Sequence, residues 1–344
     1  MNDSRIKKLV FSLTGIDGIL IDSPSDLLYL TGLSLSKGRL WADGGGAKLF
    51  VDGRYFGRAK KEAPCEVLPF DEKHLTETLQ GARRIGYDSA FLTCEQFQIV
   101  KRFAPEADWV PAPRPLKELR MVKDDGEIAA LKKAAKLTWE GYQSVLPKLQ
   151  LGVSEIEIAA EFEYFCRKNG AAGFSFDSIV AFGENSAYPH YRAGNSTLQD
   201  GQIVLADVGA IVGGYRGDMT RVFFFGKPNP TLKFFHELVV RAQNKAVQAV
   251  RPGVRLGELD EIVREEFRKE GVEKLYTHSL GHGIGLETHE YPLIRFDNED
   301  KDLILKSGMV FTIEPGLYKE GLGGVRYEDM IWVTENGCEN FFAP

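Results

Sequence analysis

The sequence predicts a two-domain α+β protein, with a smaller α/β domain over residues 1–115 and a larger one over residues 116–344. Three observations predict it. The chain has 344 residues, more than one hydrophobic core ordinarily serves. A proline-dense break, PAPRP at 111–115, separates two stretches of different pattern. Helices do not run through such a break, because proline lacks an N–H and its ring clashes with the preceding turn. Beyond it the order helix pair, strands, helix pair, strands reads as an internal duplication.

In the first domain, residues 18–22 (GILID), 47–52 (AKLFVD), 84–88 (RIGYD) and 108–111 are strand-type runs, with helical patterns between them. A turn at 43–46 precedes the second run. In the second domain, residues 124–149 are charged and helical, with Ile128, Leu131, Ala135, Leu137 and Tyr142 near helical spacing on one face. Residues 154–169 form the next helix, opened by Ser154 with Glu157 three residues on, a capping box. Strands are expected over 176–225, helices over 232–250 and 256–269, and strands from there to the end.

Composition narrows the class. Apolar residues make up 43% and charged residues 27%, as in folded soluble proteins. The formal charge is 43 minus 49, or −6, with no basic stripe for nucleic acid, and Lys60 and Lys61 read as a solvated helix face. Cys65, Cys94, Cys166 and Cys338 are far apart and form no CxxC, so reduced thiols in a cytoplasmic protein are expected. The start, MNDSRIKKLVFSL, mixes acids with bases, and no run reaches membrane-span length, so neither signal peptide nor membrane partner is expected.

The chemistry lies in the second domain. Asp207 (in LADVGA), Asp218 (GDMTRVF), His282 (GHGIGLETHE), Glu314 (TIEPG) and Glu328 (GVRYEDM) are all metal-ligand types. Asp207 closes a strand-type run and Asp218 opens another, with glycines between. That is a β-hairpin layout with both carboxylates turned to one site. Two buried neighbouring aspartates repel each other and lose their charge, a cost that a dication removes. Glu314 and Glu328 likewise border apolar runs, where glutamate is rarely buried without a partner. The glycines around His282 allow close backbone approach, and a neutral imidazole is a good ligand. Four carboxylates and one imidazole exceed what one dication needs and suit two sharing bridging carboxylates, hence hydrolysis by an activated water. Carboxylate-dominated O/N ligation favours Mn²⁺, Fe²⁺ or Co²⁺ over a thiolate-type zinc site. Of six histidines, His74 and His236 read as ordinary surface or half-buried residues, while His190, His278, His282 and His289 cluster by motif. His289, seven residues past His282, is placed to act on substrate rather than on metal.

These motifs, in this order, resemble the dinuclear metallopeptidases of the pita-bread fold, and within them the Xaa-Pro peptidase branch of prolidase and aminopeptidase P. The likeness covers residues 120–340 most strongly, and the first domain looks like the creatinase-type amino domain of that branch. Methionine aminopeptidases share the catalytic fold but usually lack such a domain. The resemblance implies hydrolysis of the bond preceding proline, in dipeptides or short peptides, by a water bridging two divalent ions. Mn²⁺ is the expected metal, with Co²⁺, Fe²⁺ and Zn²⁺ as alternatives. Asp207 would chelate one ion, Asp218 and Glu328 would bridge both, and His282 and Glu314 would bind the second. Glu314 would also carry the proton. His190 and His289 would contact the substrate carbonyl and the tetrahedral intermediate, with His278 and Arg326 in support and Tyr215 near the centre. Tyr188, in Asn185-Ser186-Ala187-Tyr188-Pro189-His190, departs from the usual segment in bulk and is expected to alter the pocket. A homodimer is expected. Dipeptidase and longer-peptide aminopeptidase stay open. So do two further readings, another pita-bread aminopeptidase and a non-catalytic peptide-binding relative, although no expected ligand is missing.

Overall fold

A computed structural model describes residues 2–342. The chain divides into two compact units, Met1–Arg120 and Met121–Pro344. Among the described residues, no helix is long and apolar enough to cross a membrane.

The first unit carries one six-stranded sheet, built from β1 (Gly18–Ile21), β2 (Gly38–Asp43), β3 (Gly46–Val51), β4 (Glu66–Pro69), β5 (Arg84–Tyr87) and β6 (Asp108–Pro111), in the order β4-β3-β2-β1-β5-β6. The β1–β2 and β2–β3 pairs are antiparallel, and the pairs toward either edge are parallel. Helices α1 (Asn2–Ser12), α2 (Pro24–Thr31), α3 (Gly53–Glu62), α4 (Glu72–Leu79) and α5 (Cys94–Lys101) accompany the sheet, and the short α6 (Lys117–Met121) follows. Leu20, Trp41, Phe50, Leu75, Leu79, Ile85 and Val100 form a core here. The expected turn closes the β2–β3 hairpin, where Asp43 Oδ1 accepts the Gly45 N–H at 2.8 Å and Gly46 sits at φ +126°. Sequence reading missed β2 and β4. The first five residues of β2 are all buried, so the strand shows no alternation to reveal it.

The second unit contains helices α7 (Asp125–Val145), α8 (Glu155–Lys168), α9 (Pro230–Ala249) and α10 (Leu256–Lys269). Asp124–Glu127 and Ser154–Glu157 cap the first two as complete capping boxes, the second as expected. The strands are β7 (Gly173–Phe174), β8 (Ile179–Phe182), β9 (Ile203–Val208), β10 (Ala210–Val212), β11 (Tyr215–Arg216), β12 (Met219–Phe224), β13 (Gly281–Gly283), β14 (Glu290–Ile294), β15 (Val310–Ile313), β16 (Gly316–Lys319), β17 (Gly323–Arg326), β18 (Asp329–Val333) and β19 (Cys338–Asn340). They form sheets ordered β11-β10-β7, β12-β9-β8, β14-β13-β15-β18-β19 and β16-β17. A buried cluster running from Leu238 and Val239 of α9 through Val263 and Phe267 of α10 to Phe311, Ile313 and Ile331 packs the helix pair against the five-stranded sheet. The two helix pairs thus alternate with two strand groups, and each group contains one long antiparallel pair, β9–β12 or β15–β18.

Candidate active site

Those two strand pairs place the acids. In β9–β12, Asp207 stands opposite Thr220, and Asp218 immediately precedes β12. In β15–β18, Ile313 stands opposite Asp329, so Glu314 and Glu328 lie one step beyond the end of that ladder. Thr220 ties the pairs together, because its carbonyl accepts the Glu328 N–H at 3.2 Å and its hydroxyl donates to Glu328 Oε2 at 2.7 Å. His282 is the middle residue of β13, between β14 and β15. A Cβ on Gly281 would collide with the Thr312 carbonyl, and one on Gly283 with the Tyr291 carbonyl. Only glycine lets β13 lie between its neighbours and present the imidazole inward.

All nine side chains singled out for metal or catalysis line one cavity of about 300 Å³. Asp218, His282 and Glu328 offer ligand atoms within 4.8 Å of one another, and all three are buried. His282 Nδ1 lies 3.1 Å from the Gly283 carbonyl, which assigns the proton to that nitrogen. Nε2 is then directed at Glu314 Oε1 (3.3 Å) and Asp218 Oδ2 (3.8 Å), as in a metal-ligating histidine oriented through its other ring nitrogen. Asp207 stands apart from the trio, since its Oδ2 accepts from Arg326 Nη2 at 2.5 Å. Its Oδ1 is buried with no hydrogen-bond partner among the described residues. A buried, unsatisfied carboxylate oxygen costs free energy that a cation would recover. The residues therefore fit a divalent metal group.

The electrostatics agree. Burial, reinforced by the Asp207 charge, pushes the Asp218 carboxyl well above its ordinary value. Burial and the Asp218 charge do the same to Glu328. Burial alone would lower His282 and raise Glu314, but the bond and charges between them outweigh it, holding the imidazole up at about 9 and the carboxyl down at about 2. Near neutral pH the metal-free site thus keeps a proton on His282, and ligation must displace it. Titrating Mn²⁺ at pH 7.5 in two buffers of different ionisation enthalpy is expected to give different apparent heats, reporting net proton release. Equal heats would contradict these assignments.

Around the acids runs a hydrogen-bonded relay that sequence reading saw only in part. Arg326 donates to Asp207, to Thr220 Oγ1 (3.0 Å) and to the Tyr318 hydroxyl (2.7 Å). Tyr318 Oη lies 2.9 Å from His278 Nε2, and His278 Nδ1 lies 2.8 Å from the Ser279 carbonyl. Burial lowers the His278 pKa, so its ring is neutral, with Nδ1–H donating and Nε2 accepting from the tyrosine. The hydroxyl of Thr312 accepts the His282 N–H at 3.1 Å and donates to Glu314 at 3.3 Å. Thr220, Thr312 and Tyr318 lie one or two residues from expected site residues or on a facing strand. No single-sequence signal marks them.

His289 packs against His282 with 4.2 Å between ring centroids, the rings tilted by 52°, yet is not a member of the ligand trio, and His190 lies exposed on the cavity wall. Tyr215 is buried, and its hydroxyl donates to Glu127 of α7 at 2.9 Å. One expectation needs correction. Tyr188 does not narrow the pocket: it is 54% exposed and absent from the lining, since the turn at Gly183–Ala187 directs it to solvent. His74 pairs with Asp71, and half-buried His236 packs against Phe224 and Tyr327; neither lines the cavity.

Two carboxylate-bearing strand pairs closing on one imidazole, in a cavity walled by further histidines, define a metal-dependent hydrolase. Residues 129–335 match metallopeptidase family M24, and residues 5–122 match the creatinase/prolidase N-terminal domain. The chain belongs to metallopeptidase family M24, its larger unit having the pita-bread fold of that group. It is 35% identical to a Xaa-Pro dipeptidase of Pyrococcus furiosus over 342 residues, covering 97% of this chain and 96% of that one. Among solved structures it superposes on the prolidase of Pyrococcus horikoshii with a TM-score of 0.94 at 33% identity, covering 99% of this chain and 98% of that one. It superposes on an X-Pro aminopeptidase of Thermotoga maritima with a TM-score of 0.90 at 33% identity, with the same coverage.

Proposed function

We propose that this metallopeptidase hydrolyses the peptide bond preceding proline, acting as an Xaa-Pro dipeptidase or Xaa-Pro aminopeptidase with two divalent ions, Mn²⁺ foremost. Asp207, Asp218, His282, Glu314 and Glu328 would hold them. The observation that carries this reading is the orphaned Asp207 Oδ1 in the same cavity as the close trio of Asp218, His282 and Glu328. The activities of the relatives named above supply the bond specificity.

When bound, the cations supply Lewis acidity and a water of lowered pKa. The protein does the rest. Glu314, held near pKa 2 and so ionised, accepts the proton of the attacking water and returns it to the departing proline nitrogen. His289 is kept neutral, by burial first and then by the neighbouring His282, and donates one N–H to the carbonyl oxygen as charge develops there. His190 donates from the opposite motif. Arg326 fixes one oxygen of Asp207, leaving the other for ligation. Proline's missing N–H and fixed φ make it a poor substrate for peptidases that grip backbone as a strand, so a dedicated rigid pocket makes physical sense.

The test is a panel of Ala-Pro, Ala-Pro-Ala and Ala-Ala, each with Mn²⁺ and with chelator. Metal-dependent cleavage of the proline substrates alone supports the reading. Equal cleavage of Ala-Ala would favour a general pita-bread aminopeptidase, and metal binding without turnover a peptide-binding relative. A homodimer is part of the same proposal. Sedimentation at micromolar concentration is expected to show the dimer, and a monomer alone would refute it. A cytoplasmic location is also part of it, in keeping with four free cysteines. Recovery in a secreted fraction would refute that.

A further inference from the structure

The charge on the cavity wall is unbalanced in a way that the metal site does not absorb. Five acids and two guanidinium groups line it. Arg326 is spent on Asp207, Thr220 and Tyr318. Arg192 is exposed and makes no hydrogen bond or ion pair among the described residues, not even with Asp177, the exposed acid of the lining. It is not on a loose loop. Glu155, the first residue of α8 and 0% exposed, anchors the segment from beneath. Its Oε1 accepts the Phe182 N–H and the Asn185 amide, both at 2.8 Å, and its Oε2 accepts the Tyr191 hydroxyl at 2.8 Å and the Gly194 N–H at 3.2 Å. Two of these bonds fall on either side of Arg192. The same buried carboxylate therefore fixes the backbone that presents both His190 and Arg192 to the cavity.

We propose that Arg192 is a specificity-determining residue that receives the free carboxylate of a proline-terminated dipeptide. This rests on the Xaa-Pro reading above and commits it to dipeptides. In Xaa-Pro the carboxylate lies two bonds from the scissile nitrogen. A substrate whose carbonyl reaches His190 therefore keeps its carboxylate within the same cavity, whose wall includes Arg192 two residues further along the anchored segment. Entering a cavity lined by acids, that anion needs a cation, and a guanidinium meets a carboxylate with two parallel hydrogen bonds. A peptide continuing past proline has no charge there, and neither has a C-terminal amide.

The experiment compares Ala-Pro with Ala-prolinamide on the Mn²⁺-loaded enzyme, for wild type, Arg192→Ala and Arg192→Lys. Metal content and thermal midpoint serve as controls. Arg192→Ala is expected to raise KM for Ala-Pro about tenfold or more, while changing kcat and the amide KM less than about twofold. Arg192→Lys is expected to fall between, because it keeps the charge and loses the fork. Without turnover, L-proline is expected to inhibit wild type better than L-prolinamide, and the two to converge in Arg192→Ala. Equal effects of the variant on both substrates, or none on either, would overturn the assignment while leaving the Xaa-Pro reading intact. Failure of the wild type to cleave either substrate would overturn that reading and this inference together.

Discussion

Asp218→Ala is expected to abolish peptidase activity and to leave the protein unable to retain its full metal complement. Asp218 is 3% exposed, its carboxyl is raised by burial and by Asp207, and its ligand atom groups with those of His282 and Glu328 within 4.8 Å. No water replaces it in charge. Loss of a partner that merely orients a ligand costs about 10–100-fold, so removal of the carboxylate proposed to serve both cations should exceed that range. Stability should move the other way in the metal-free state. Burying Asp218 beside Asp207 is unfavourable without a cation, so metal-free Asp218→Asn is expected to unfold no earlier than metal-free wild type. Mn²⁺ is expected to raise the wild-type midpoint by binding the folded state alone, and to raise that of the variant much less. Elemental analysis, thermal unfolding with and without chelator, and Ala-Pro hydrolysis report the three effects. Full turnover by the variant, or by chelated wild type, would refute the assignment.

The same conflict explains why the acids could be read in the sequence. Asp207, Asp218, Glu314 and Glu328 each border an apolar strand run, where an unpartnered acid is costly, so pattern and chemistry disagree at those positions. The glycines beside His282 were legible for a related reason, since each stands where a Cβ would strike a neighbouring carbonyl. What stayed hidden depends on pairing between strands distant in sequence. Thr220 meets Glu328 across 108 residues, Arg326 meets Asp207 across 119, and Ser186 Oγ meets the Gly324 N–H across 138. Threonine and tyrosine are ordinary in strands, so Thr220, Thr312 and Tyr318 announce nothing until register brings their hydroxyls to a ligand. Glu155 was hidden twice over. It follows Ser154 at a helix start, where an acid has a sufficient local reason in the helix dipole, and three of its four partners lie beyond β8 in a segment with no strand or α-helix. In the first unit the misses were strands of another kind. The buried run of β2 lacks alternation.

His289→Ala is expected to lower kcat by about 10²–10³ while leaving metal content unchanged, the effect of deleting a donor that acts mainly in the transition state. His289 immediately precedes β14 and packs against His282 at 4.2 Å between ring centroids, outside the trio that could hold a cation. His282→Ala is the control. Its Nε2 faces Glu314 and Asp218, so its loss should take metal and activity together. The substitution also removes the partner that holds the Glu314 carboxyl at about 2, which lets burial raise that carboxyl and weakens it as a proton acceptor and ligand. His190→Ala should follow His289→Ala rather than His282→Ala, because His190 lines the cavity with no place among the clustered ligand atoms. Steady-state kinetics on Ala-Pro, with metal content measured on the same preparations, separate the two behaviours. Wild-type kcat in His289→Ala, or loss of metal from it, would reverse the roles given to these histidines. So would a His282→Ala protein that keeps its metal and loses only rate.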